Sequence, residues 1–243
     1  MIEPADLASA RAAILERIAD AAARSGRDAT AVEVVAVTKT VAPQRVLEAI
    51  AAGFRTLGEN RVQERQSKVA EIDAVSTYPA GEQPQWHLIG PLQANKARRA
   101  IELFDVIETV DSIDLARRLD RIAGELRPVR PMPVLLQVNV DADPAKAGFS
   151  PSELERGLGE ILSLPALAVG GLMTVGRLVS EPEQARPTFV ALRGLSERLR
   201  GVHPRLGGAL SMGMTDDFEV AVEEGATHVR IGRAIFGARP TVG

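Results

Sequence analysis

The 243-residue chain contains no cysteine, which excludes disulfides, thiolate nucleophiles and thiolate metal sites. It also leaves the redox compartment open, since either would be tolerated. Histidine occurs three times, at His87, His203 and His228, too dispersed for zinc-ligand spacing. No apolar run approaches the length needed to span a bilayer. The first residues, MIEPADLASARAAILERIADAAARSGRD, carry charges throughout and lack the continuous apolar stretch of a signal peptide, so a cytoplasmic protein without membrane attachment is expected. Net charge is −3 with scattered basic residues, which argues against a nucleic-acid footprint. Tyrosine and tryptophan occur once each, as Tyr78 and Trp86, and lysine only at positions 39, 68, 96 and 146. Arginine is the default cation, so each lysine is more informative than usual. What remains is 45 % hydrophobic and 25 % charged, the balance of a globular protein, at a length that fits one α/β barrel or two small domains.

Strand-like and helical patterns alternate from end to end. Helices are expected over Ala5–Ala23, Pro43–Ala52, Asn60–Ile72, Leu92–Leu103, Ile113–Leu126, Ser152–Leu162, Pro182–Arg200 and Asp216–Glu224. The last is read as opening on an Asp216/Glu219 capping box and stopping at Gly225. Strands are expected over Val32–Val37, Phe54–Leu57, Trp86–Ile89, Val106–Val110, Val134–Val140, Ala168–Thr174, Ala209–Met212 and Thr227–Ile231, and a loop over Ser76–Pro84. Eight strands with intervening helices predict a single closed (β/α)8 TIM barrel over 1–243. An open doubly wound sheet would announce a glycine-rich turn after its first strand, and here that strand runs into Thr38-Lys39-Thr40.

Barrels place function at the C-terminal ends of their strands, where Lys39, Glu59, Asn60, Met173, Thr174, Ser211, Gly213, Thr215, Arg230, Gly232 and Arg233 collect. A lysine at a barrel mouth forms an imine with a carbonyl if its amine is partly desolvated; taken alone it is equally a solvated strand-end lysine. On the other side of the closure, SMGMTDD and RIGRAIFG make a plausible phosphate cradle of two loops and a helix start. Opposite ends of one aldehyde phosphate would satisfy both features: a sugar phosphate in a Schiff-base aldolase, or pyridoxal 5′-phosphate. His87, inside an apolar strand, reads more simply as a hydrogen-bonded core residue than as a general base, Trp86 as packing, and Lys146 as a solvated loop lysine.

Five motifs choose between the two ligands. VAVTKT, GENRVQE, WHLIGPLQANK, GLMTVG and SMGMTDDFEVAVEEGATHVRIGRAIFG, spread over residues 34 to 238, together resemble the pyridoxal phosphate homeostasis protein family, also called the YggS or PROSC family. The resemblance implies a barrel like the N-terminal domain of alanine racemase, with the cofactor held as a Schiff base on Lys39. It implies phosphate contacts from Ser211, Gly232 and Arg233, Arg230 facing the pyridine nitrogen, and Asn60 and Met173 lining the pocket. The chain carries Arg233 where members often have threonine, and Arg61 where they often have tyrosine.

A racemase on this scaffold needs a second proton donor opposite the lysine, which in alanine racemase is a tyrosine from a further domain. The chain stops at Gly243 and its one tyrosine, Tyr78, falls in a loop. An arginine at the ring nitrogen also weakens the cofactor as an electron sink. The expectation is therefore a non-enzymatic, monomeric carrier that holds pyridoxal phosphate and passes it to apo-enzymes. A slow cofactor-dependent racemase or lyase is the alternative.

Overall fold

The computed structural model describes residues 6–74, 83–177 and 179–237. Eight parallel strands close into a barrel in chain order, with the first strand hydrogen-bonded to the eighth. The strands are β1 (Glu33–Val37), β2 (Thr56–Glu59), β3 (Gln85–Leu88), β4 (Val106–Val110), β5 (Met132–Gln137), β6 (Leu167–Met173), β7 (Ala209–Met214) and β8 (His228–Ile231). The helices are α1 (Leu7–Arg24), which precedes the barrel, α2 (Pro43–Ala51), α3 (Val62–Ala74), α4 (Ala97–Leu103), α5 (Ile113–Leu126), α6 (Pro151–Ser163), α7 (Arg186–Val202), α8 (Phe218–Glu223) and the short α9 (Arg233–Phe236). The β-branched and apolar strand runs are buried because helices cover the barrel's outer face. The core runs continuously from Ile14 and Ile18 of α1 through Leu119 of α5 to Phe189 of α7 and Phe218 of α8.

The closing register sets Val35 opposite Arg230 and Ala36 opposite Ile231. This brings the turn after β1 beside the turn after β8, so Lys39 and Gly232 become neighbours though nearly two hundred residues separate them. Val35, Val37 and Ile89 form a small apolar cluster of their own inside the barrel.

Several expected boundaries move for identifiable reasons. The long helix from Pro182 is a 3-10 turn over Pro182–Ala185 followed by α7, because Pro187 in the first turn of α7 has no N–H to carry a continuous ladder. The helix expected from Leu92 likewise begins as a 3-10 turn, Ala94–Lys96. The Ser150–Glu153 capping box forms at α6. The Asp216/Glu219 box does not: α8 starts at Phe218, Glu219 is taken by Arg17 at 3.0 Å, and Asp216 by Arg233. Asp217 instead accepts the Met214 N–H at 2.6 Å, closing the turn after β7. Ala5, Tyr78 and most of the Ser76–Pro84 loop lie outside the described residues.

A candidate cofactor site at the mouth of the barrel

The turn that carries Lys39 is braced from beneath. Lys68 of α3 donates from Nζ to the Thr38 carbonyl at 2.7 Å and to Glu59 Oε1 at 2.6 Å. Thr38 Oγ1 donates to the same carboxylate oxygen at 2.7 Å. All three side chains are buried. Burial pushes the Glu59 carboxyl up to about 7; Lys68 and Thr38 oppose the rise and Glu64 adds to it. Directly after Lys39, Thr40 has φ 62°, a left-handed conformation that β-branched residues rarely adopt. Such a conformation persists only where the surroundings hold it.

A cavity of about 280 Å³ opens beside this turn, walled by Val37, Lys39, Asn60, Ile89, Val175, Arg177, Val179, residues 214–217, Arg230, Gly232 and Arg233. A smaller hollow of about 180 Å³ shares Val37, Lys39, Gly232 and Arg233 with it. Five of the seven residues expected at the site therefore converge: Lys39, Asn60, Arg230, Gly232 and Arg233.

The other two do not line the cavity. Ser211 is fully buried in the body of β7, its hydroxyl donated to Glu108 Oε2 at 2.5 Å and accepting from Arg230 Nη1 at 2.7 Å. The expected phosphate contact from Ser211 is thus corrected: its hydroxyl is committed inside the barrel, below the rim. Met173 is fully buried as well, and Val175, two residues on, reaches the wall in its place.

What the loops after β7 and β8 bring to the rim is Thr215, whose Oγ1 accepts the Gly232 N–H at 3.4 Å. The first backbone bonds of α9 are made by Ile235 and Phe236 to the Gly232 carbonyl, so the Arg233 and Ala234 amides precede the helical ladder and suit an anion. Gly213 makes the turn into this loop possible. It has φ 90°, and a Cβ there would stand 2.5 Å from Ala221 Cβ and 3.0 Å from Phe218 Cα. The Arg233 guanidinium is paired with Asp216, both side chains largely exposed.

Arg230 is 5 % exposed. Besides Ser211 it donates from Nη2 to the Thr174 carbonyl at 2.7 Å. Burial lowers its pKa, with Glu108 and Asp217 opposing, and a guanidinium remains protonated at neutral pH. Burial also raises Asp217, against the Met214 N–H and Arg230. His87 is buried with Nδ1 donating to Glu108 Oε1 at 2.6 Å and does not reach the cavity wall. Lys146 is turned toward Asp141 and Asp143, at 3.6 and 3.7 Å, and not into solvent.

Lys68 and Glu108 were not singled out by sequence reasoning, and Thr215 was placed at the barrel mouth without a role of its own. The signals were there in Lys68 as one of four lysines and in Glu108 as a carboxylate within an apolar strand, but neither names its partner.

The chain matches the family model described as alanine racemase, N-terminal domain, over residues 10–240. It is 38 % identical over 239 residues to the pyridoxal phosphate homeostasis protein of Escherichia coli, covering 96 % of this chain and 97 % of that protein. It is 41 % identical over 231 residues to the protein of that name from Pseudomonas aeruginosa, covering 94 % of each. Among solved structures it is similar to PipY of Synechococcus elongatus with PLP bound, at a TM-score of 0.78 and 40 % identity, covering 92 % of this chain and all of the other. With the barrel, the lysine turn and the matched length in agreement, the chain belongs to the pyridoxal phosphate homeostasis protein family, built on the alanine racemase N-terminal domain.

Proposed function

We propose that this chain, acting as one domain over 1–243, binds pyridoxal 5′-phosphate on Lys39 and serves intracellular homeostasis and delivery of that cofactor, with little or no catalysis of its own. The observation that carries the reading is the convergence of Lys39 with Gly232, Thr215 and Arg230 on one cavity wall in a chain whose relatives bear the homeostasis name.

The residues present fit the cofactor. Lys39 supplies an amine at the rim. Thr215 Oγ1 and the Arg233 amide supply donors for a phosphate. Gly232 borders both hollows and carries no side chain to hold a ligand off its backbone. Arg230 supplies a fixed cation for the ring nitrogen, while Asn60, Val37 and Ile89 supply the remaining walls. When bound, the cofactor brings an aldehyde that a lysine holds covalently. The Lys68–Glu59–Thr38 brace holds the turn that positions that lysine. Arg230, held cationic by Glu108 and its own high basicity, disfavours a proton on the ring nitrogen and with it α-proton chemistry.

The racemase alternative required Tyr78 or His87 to face the cofactor. His87 is engaged by Glu108 beneath the site, which favours the carrier. The large apolar side chains left exposed among the described residues fall on α1 (Leu15), at and just after the end of α5 (Leu126, Val129) and on α7 (Val190, Val202); the chain is read as a monomer that meets apo-enzymes transiently. No helix among the described residues is long and apolar enough to cross a membrane, in keeping with cytoplasmic work.

The test mixes the loaded protein with a pyridoxal-phosphate-dependent apo-enzyme in the presence of a trap for free cofactor and follows recovered activity. Exchange of α-protons into deuterated water is measured in parallel on common amino acids. Transfer without exchange is expected. Turnover in the ordinary enzyme range, roughly 1–1000 per second, would replace the carrier with an enzyme.

A further inference from the structure

Beneath the cavity a chain of buried polar groups crosses the barrel interior. His87 of β3 donates from Nδ1 to Glu108 Oε1 at 2.6 Å. Ser211 of β7 donates to Glu108 Oε2 at 2.5 Å, and Arg230 of β8 donates to Ser211 Oγ at 2.7 Å. Glu108 and Ser211 are fully buried, and His87 and Arg230 are 3 % and 5 % exposed. Of the four, Arg230 alone reaches the cavity wall.

The donor directions in this chain are forced. A guanidinium only donates, so Ser211 must accept from Arg230 and give its own proton away. A carboxylate only accepts, and Glu108 offers one oxygen to Ser211 and the other to His87. A buried carboxylate is tolerated only when paired and hydrogen-bonded. Glu108 meets that condition through His87 directly and through Arg230 by way of one hydroxyl. It contributes the negative charge behind the guanidinium, and it fixes the hydroxyl that fixes the guanidinium's rotation. Thr174 holds the second Nη through a backbone carbonyl, so removing the Ser211 contact leaves Arg230 a single anchor and freedom to swing about it.

We propose that Glu108 is a positioning residue for the cofactor ring, acting through Ser211 to aim Arg230 at the ring nitrogen and to offset part of its charge there. The inference rests on the binding role proposed above. It adds a determinant that does not touch the ligand and that belongs to this chain's own interior.

The distinguishing experiment is a binding cycle between protein and ligand. The probes are pyridoxal phosphate and its 1-deaza analogue, in which the ring nitrogen is replaced by a C–H group. Affinities of both are measured for the full-length protein, for Glu108→Gln, which keeps the size and loses the charge, and for Ser211→Ala, which cuts the chain and keeps the carboxylate. Folding of each variant is checked by circular dichroism. In the unaltered protein the natural ligand should bind about tenfold or more tightly than the analogue, the range of a hydrogen bond to a charged group. In both variants that preference should shrink toward parity. The absorbance maximum of the bound natural cofactor should also move from its wild-type position. A purely structural role for Glu108 would weaken both ligands alike and leave the preference intact, and that result overturns the proposal. Should Glu108→Gln fail to fold, the Ser211→Ala preference decides by itself. Failure of the unaltered protein to bind either ligand would instead remove the binding role on which the inference stands, while binding without any preference would remove the aiming of Arg230.

Discussion

Replacing Lys68 by methionine isolates the brace under the Lys39 turn. The substitution removes the Nζ that serves both the Thr38 carbonyl and Glu59 and leaves a fully buried carboxyl beside Glu64. Two costs follow. Losing a charged hydrogen bond to Thr38 is worth roughly 1.5–3 kcal/mol at any pH. The second cost depends on pH. In the unaltered protein burial already raises Glu59 to about 7 from an ordinary value of 4.5. A carboxyl raised in the folded state favours folding most at low pH. That advantage is lost as pH climbs from the unfolded value to the folded one, and the curve then levels. Without Lys68 the folded value moves higher still, so the decline continues above neutrality at about 1.4 kcal/mol per pH unit. The penalty relative to the unaltered protein should therefore be about 2 kcal/mol near pH 6 and roughly 4–5 kcal/mol near pH 9. Urea unfolding at a series of pH values reads this directly, and the double variant Lys68→Met with Glu59→Gln should lose the excess slope. A Lys68→Met penalty that stays constant from about pH 6 to 9 would show that Glu59 is not the group Lys68 neutralises.

Further outcomes are expected from other parts of the site. Thr215→Val should weaken pyridoxal phosphate by roughly tenfold or more, given a hydroxyl donor to a charged group, and leave binding of phosphate-free pyridoxal nearly unchanged in a titration; equal losses for both would take Thr215 out of the cradle. Gly213→Ala should destabilise the fold by about 2 kcal/mol or more, because positive φ and the 2.5 Å approach to Ala221 Cβ act together; a melt within a degree of the unaltered protein would refute that. Burial alone would raise Glu108, but the His87 bond and charge and then Arg230 hold it down at about 2. Its stabilisation should be complete above about pH 4.5 and drain away as pH falls through 2, up to roughly 3 kcal/mol, and Glu108→Gln should flatten that acid limb. Arg233→Ala removes an exposed ion pair with Asp216 and should change stability by less than about 1 kcal/mol.

What could be read from the chain and what could not divides along physical lines. Runs such as VEVVAV and VLLQVNV declare themselves because a strand buried on both faces needs consecutive β-branched and apolar residues. Eight such strands alternating with helices, with no glycine-rich turn after the first, point to closure, and closure puts Lys39 beside Gly232. A local stop signal was also legible at Gly225, which takes φ 104° just past the end of α8. The failures occur where a residue had two possible partners and the distant one won. Asp216 and Glu219 have the spacing of a cap, yet Arg17 lies 202 residues away in sequence and takes Glu219. Ser211 sits in a motif that suggested an anion contact, yet Glu108, 103 residues back, takes its hydroxyl, and the rim position falls to Thr215 in the same motif. Spacing carries no information on such contacts because the barrel's register, and not the sequence interval, sets which inward side chains meet.

Covalent capture at Lys39 tests the central claim most directly. The protein is loaded with pyridoxal phosphate, reduced with borohydride, digested and mapped by mass spectrometry, with Lys39→Ala treated alongside. The account predicts label on the peptide that contains Lys39 and its loss in the variant. Label found mainly at Lys68, Lys96 or Lys146, or retained at full yield in Lys39→Ala, would contradict it.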